Sequence, residues 1–303
     1  MNMSLIYDIS KLMVVGFGKM CGPGDQARLA AKEFPTDLVE DNDLQYIEDG
    51  TWEHRLDVYY PEGTSPKAKL PVLIDIHGGG WGYGDKELNK LYCLHCARRG
   101  YVVFNISYRL APQYHTKDQM QDCMAAMKYV SKHLKDYPCD AKRIYITGDS
   151  AGGQLAAHCA GANLSKNMRK AYDLENPNLK IKGVCLTSAV PYMNKKGIMS
   201  VFLPSVKGKD AKGSAYEKYF DFNKILKDVD EYPPTILFTS LADVIASGQT
   251  KKTYKMLKKK GVPAKLINRK KPSLMHVYPV LDPDLKDGAK AIDDMTAFFN
   301  KNK

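Results

Sequence analysis

An alternation along the chain constrains its fold more than any other feature. Short apolar runs of the kind that fill buried parallel strands occur at 71–76, 101–106, 143–147, 181–187, 235–239 and 264–268. Stretches with helical periodicity lie between and after them, at 86–99, 116–135, 151–164, 247–260 and 285–300. Gly100 and Gly261 follow two of these and read as C-terminal stops. Parallel strands need crossover connections, so repeated strand–helix units predict an α/β fold, a mostly parallel sheet with helices on both faces. Ahead of the repeat, 44–48 and 55–60 alternate in side-chain character and predict an antiparallel hairpin. Two stretches fall outside the pattern. One is residues 1–42. The other is 189–232, an insertion rich in Lys, Tyr and Phe whose length suggests a lid or cap.

The 303 residues suffice for one large core, and 44% hydrophobic with 26% charged residues is the balance of a soluble globular chain. No apolar run reaches the ~18 residues of a membrane span. The start has no basic region ahead of an apolar core, so a cytoplasmic location is expected. Seven cysteines, an odd number, fit reduced thiols. Cys93 and Cys96 have the spacing of a metal-binding pair, but no second pair follows, and buried thiols are the better reading. The net charge of +11 raises the question of nucleic acid or an anionic surface. The lysines are scattered, and the densest cluster, 251–260, sits on a helical pattern with Tyr254, Met256 and Leu257 on its apolar side. Neither a nucleic-acid nor a membrane partner is expected.

The strongest chemical signal is Gly148-Asp149-Ser150-Ala151-Gly152-Gly153. It lies between a predicted strand and a predicted helix, the setting of a G-x-S-x-G nucleophile elbow. The turn strains the serine, and its glycines leave room where β-carbons would clash. The Ala151 N–H then faces the site from a helix N-terminus, where the dipole favours negative charge. A second signal, His77-Gly78-Gly79-Gly80-Trp81, directly follows a buried strand and matches the HGGG loop of lipases and esterases. Glycine N–H groups there can donate into an oxyanion hole with Ala151.

This chemistry orders its residues as serine, acid, histidine. His77 precedes Ser150 and so reads as a brace for the glycine loop. His158 lies two turns into the helix after Ser150 and should point away. That leaves His276, shortly after the last strand, as the base. Asp243, in the loop after 235–239, is the acid. Asp228, Asp230, Asp282 and Asp284 are its rivals, and an N-cap role is the bland alternative for Asp243 itself.

These residues, with Tyr108-Arg109-Leu110-Ala111-Pro112, resemble the hormone-sensitive-lipase-like family of α/β hydrolases, which includes many bacterial carboxylesterases. The resemblance runs from about residue 58 to the C-terminus. It implies the α/β-hydrolase fold over 43–303, with 1–42 and 189–232 as cap segments. It also implies oxyanion N–H groups from Gly79, Gly80 and Ala151, and an acyl-enzyme mechanism on small esters that needs no metal or organic cofactor. A homodimer is compatible with it. A deacetylase of acetylated carbohydrate, an amidase or peptidase with the same triad, and a non-catalytic binder are the alternatives. Two positions depart from the family habit: Gln113 follows Ala111-Pro112 where glutamate is usual, and Val277 follows His276 where glycine is common.

Overall fold

The structure, a computed structural model, describes residues 3–193 and 199–302. Its strands are β1 (Leu38–Gln45), β2 (Arg55–Pro61), β3 (Leu70–Ile76), β4 (Val102–Ile106), β5 (Cys139–Asp149), β6 (Ile181–Thr187), β7 (Thr235–Ser240) and β8 (Ala264–Arg269). They form one eight-stranded sheet in the order β1-β2-β4-β3-β5-β6-β7-β8. From β4 to β8 every pairing is parallel, and β1 and β2 add an antiparallel edge. The helices are α1 (Met3–Ala30), α2 (Lys90–Ala97), α3 (Thr116–His133), α4 (Ser150–Leu164), α5 (Lys166–Tyr172), α6 (Met199–Phe202), α7 (Pro204–Lys207), α8 (Phe222–Asp228), α9 (Ser247–Lys259), α10 (Tyr278–Leu281) and α11 (Lys286–Lys301).

Burial explains why the central strands are unbroken apolar runs. Side chains on both faces of β3 and β4 are shielded, and two cores result, one on each side of the sheet. Val72, Ile74 and Ile76 of β3 face one core, and Leu73 faces the other, as a period of two requires.

Three expectations are corrected. The first strand starts at Leu38 rather than 44, so 38–42 belongs to the sheet and not to the segment ahead of it. This edge strand is highly charged and its register shifts between Asp41 and Leu44, which blurs the alternation a strand should show. The helical stretch 86–99 divides into a 3-10 turn, Lys86–Asn89, and α2, and the turn carries Lys86 and Asn89 inward. Residues 3–30, for which no element is predicted, form a long helix. It packs on α6 and α7 of the insertion: Ser10 Oγ donates to Phe202 O at 2.6 Å, and the Phe17 and Phe202 rings meet edge to face at 6.1 Å. Residues 194–198 of that insertion lie outside the described residues.

Candidate active site

Ser150 stands where β5 ends and α4 begins, with φ of 49°. That is left-handed backbone, which a non-glycine residue adopts only when its surroundings force it. The force is close packing: a β-carbon at Gly152 would collide with the carbonyl oxygens of Ile76 and His77, so α4 begins pressed against the end of β3.

The loops after β7 and β8 bring the other two groups to the serine. His276 Nε2 lies 2.9 Å from Ser150 Oγ, and its Nδ1 lies 2.8 Å from Asp243 Oδ1. Asp243 is fully buried and well supported. The Ala246 N–H donates to Oδ1 and the Thr239 hydroxyl to Oδ2, both at 2.9 Å. Burial alone would raise its pKa, but the His276 hydrogen bond and charge and the Ala246 N–H outweigh it and hold the carboxyl below the ordinary range. Val277 has φ of 52°, a conformation that suits glycine, while its N–H donates to Ser188 Oγ at 3.2 Å.

The glycine loop lies beside the serine. Gly79 has φ of 103°, and a β-carbon there would strike Tyr83 O, so no other residue fits that turn. The loop is tied down from beneath by a network that sequence reasoning did not find. Asp149 Oδ1 accepts from the Gly78 N–H and from Asn89 Nδ2, both at 2.9 Å, and the same Asn89 amide donates to Asp75 Oδ2 at 2.9 Å. All three side chains are buried. Burial, then the Asp149 charge, raises Asp75 to about 8. Burial raises Asp149 as well, opposed by the hydrogen bond from Asn89, the His276 charge and the Gly78 N–H. The only available signal was an aspartate inside an otherwise apolar strand.

The remaining candidates fall elsewhere. His77 is buried and stacked on Tyr108 with ring centroids 4.3 Å apart, and its Nδ1 contacts Gly78 O at 2.8 Å. Burial lowers it to about 4, so it is a neutral brace. His158 contacts Gln154 and Pro191 O and is also lowered to about 4 by burial. Asp228 serves Ser165, Asn167 and Tyr219, while Asp282 and Asp284 pair with Lys32. Asp230 is exposed. Cys93 and Cys96 are buried in α2. No metal-holding group of His, Cys, Asp and Glu occurs among the described residues.

Ser150, His276, Gly79 and Gly80 line a cleft of about 480 Å³. Its apolar wall joins Phe17 of α1 and Met199 and Phe202 of α6 to Val190, Ile245, Met275 and Val280. A larger polar depression of about 780 Å³ is lined by other residues, and its His54 and Arg109 are already paired with Asp49 and Asp122.

A parallel sheet with a serine at a strand-to-helix turn, followed in chain order by an aspartate and a histidine that meet it, defines an α/β hydrolase. Comparison with known proteins agrees. A family model described as BD-FAE matches residues 56–200. Esterase B from Lactobacillus rhamnosis is similar over 97% of this chain and 95% of its own, with a TM-score of 0.90 and 26% identity. That esterase is also known with a tributyrin phosphonate inhibitor. A probable isoprenylcysteine alpha-carbonyl methylesterase of Arabidopsis thaliana is 29% identical over 71% of this chain and 47% of its own. A carboxylesterase of Mycobacterium tuberculosis is 30% identical over 44% of this chain and 42% of its own. These likenesses are to esterases of the α/β-hydrolase fold, and the chain spans less than half the length of these curated relatives. No helix among the described residues is long and apolar enough to cross a membrane.

Proposed function

We propose that the protein hydrolyses carboxylic esters of small acyl groups through an acyl-enzyme on Ser150. The observation that carries this reading is the hydrogen-bonded chain from Asp243 through His276 to Ser150, opening on an apolar cleft. His276 Nε2 takes the Ser150 proton as Oγ attacks the ester carbonyl. The N–H groups of Gly79, Gly80 and Ala151 stabilise the oxyanion, helped by the α4 N-terminus. The imidazolium, steadied by Asp243, then protonates the leaving alcohol, and water repeats the sequence on the acyl-enzyme. Residues ahead of the sheet and the insertion around α6 to α8 act as a cap that sets acyl length. Phe17, Met199 and Phe202 favour an apolar acyl chain over an acetylated sugar. Seven free cysteines fit a reducing compartment such as the cytoplasm.

Hydrolysis of nitrophenyl acetate, butyrate and octanoate, compared with acetylated xylan and a matched anilide, tests this. Turnover of the short nitrophenyl esters is expected to exceed that of the other two substrates. Faster release from xylan or anilide would favour the deacetylase or amidase alternative. Binding of ester without turnover would favour a receptor.

A further inference from the structure

Asn89 is 1% exposed at the floor of the cleft, where the Lys86–Asn89 turn ends. Groups from β2 and from the end of β4 hold that turn. Lys86 Nζ lies 3.0 Å from Asp57 Oδ2, Asn105 Nδ2 donates to Lys86 O at 2.7 Å, and the Lys86 N–H donates to Ser107 Oγ at 3.0 Å. The Asn89 amide bridges two buried carboxylates with its N–H groups. Its own carbonyl turned towards them would be repelled, so the orientation of the amide is fixed. From Asp149 the constraint passes to the glycine loop. Asp149 Oδ1 holds the Gly78 N–H, and a β-carbon on Gly78 would strike Asp149 Oδ2. On the other side of the loop the Tyr108 hydroxyl donates to His77 O at 2.9 Å and lies 3.3 Å from Gly78 O. A trans peptide is planar and its C=O and N–H point opposite ways, so holding Gly78 O also sets the direction of the Gly79 N–H.

Stability does not account for this arrangement. Two carboxylates share one amide, and Asn89 Oδ1 is buried without a hydrogen-bond partner among the described residues. Asp75 itself has the Asn89 amide and the Cys93 thiol for company. Apolar side chains would fill this place at less cost, as Leu73, Ile74 and Ile76 do along the same strand. We propose that Asn89 is a positioning residue for the oxyanion hole: by holding Asp149 against Gly78, it aims the Gly79 N–H at the charge that develops on the ester oxygen. This role rests on the esterase reading. Such donors are effective when they are aimed before the charge appears, and a displacement well short of their own length is costly. The Asn89 side chain bonds to the two carboxylates and not to Ser150 or His276, so its effect falls on the transition state rather than on substrate binding.

Asn89→Leu tests this by removing both donors while still filling the space. kcat and KM are measured on the full chain for nitrophenyl acetate and for its thiono analogue, in which sulfur replaces the carbonyl oxygen, and urea unfolding shows that each variant is folded. Sulfur is larger and a poorer acceptor, so an aligned oxyanion hole favours the oxygen ester. Loss of a whole oxyanion donor costs about 100- to 1000-fold, so misaiming one is expected to lower kcat for the oxygen ester by ~10- to 100-fold, with KM within about three-fold. The oxygen-to-sulfur ratio of kcat/KM is expected to fall by at least ~5-fold. Asn89→Ser, whose short hydroxyl cannot bridge the two carboxylates, serves where leucine prevents folding and is expected to shift all three readings the same way. Folded variants with unchanged kcat would overturn the proposal. So would a raised KM at unchanged kcat, which would put Asn89 in substrate binding, or a lower kcat with an unchanged ratio, which would make its role general packing. No turnover of either ester by the unaltered protein would overturn the esterase reading and this role with it, whereas turnover with indifferent variants would overturn this role alone.

Discussion

The buried pair beneath the glycine loop makes stability depend on pH in an unusual direction, and Asp75→Asn isolates it. Asp75 rises from an ordinary 3.8 to about 8 in the folded chain, because of burial and then the charge of Asp149. Between those values the folded state keeps a proton that the unfolded chain releases. Stability therefore falls as pH rises through this window and levels off above about 8. The slope is at most about 1.4 kcal/mol per pH unit, so the whole window is worth at most about 6 kcal/mol. Asparagine is neutral at every pH and its oxygen can still accept from Asn89. Urea unfolding of both proteins at pH 5.5 and at pH 8 is the assay. The variant is expected to gain at least ~2 kcal/mol on the wild type between the two conditions. Parallel pH dependence would refute the reasoning and mean that Asp75 is ionised throughout, with a neutralising partner that the hydrogen-bond geometry does not show.

Other outcomes follow from the site. Asp243→Asn is expected to lower kcat by at least ~100-fold, since the imidazole loses the partner that fixes its tautomer, with the same change at Asp228, Asp230, Asp282 or Asp284 staying within a few-fold; steady-state kinetics of the five variants decides it. Val277→Gly is expected to be at least as stable as Val277→Ala, because only glycine relieves the strain at φ of 52° while both lose buried apolar surface; thermal unfolding compares them. Phe17→Ala and Phe202→Ala are expected to change the ratio of octanoate to acetate ester hydrolysis by several-fold with less effect on acetate itself, and unchanged ratios would mean these rings only join α1 to the insertion.

Much of this architecture is legible in the sequence because the site occupies points where local structure changes. Ser150 follows a strand and opens a helix, and the glycines around it are dictated by contacts as tight as that of Gly152 with Ile76 and His77. His276 and Asp243 could be chosen by chain order together with their places in loops after predicted strands, and the structure brings both to Ser150. What was not legible depends on tertiary contact. Helix α1 carries apolar residues on both its buried and its exposed sides, such as Val14 against Leu12, so it lacks the amphipathic period. Four glycines and Pro23 in its second half, Gly16 to Gly24, imitate a loop. The role of Asn89 depends on a 3-10 turn that aims it at two aspartates from different strands, and no local pattern encodes that.

The central claim is that Ser150 is a nucleophile activated by His276. Its most direct test is peptide mapping by mass spectrometry after reaction with a nitrophenyl phosphonate, on the wild type and on His276→Ala. A single adduct on Ser150 is expected, forming at least ~100-fold more slowly in the variant. An adduct on another residue, or one that forms on Ser150 at an undiminished rate without the imidazole, would contradict it.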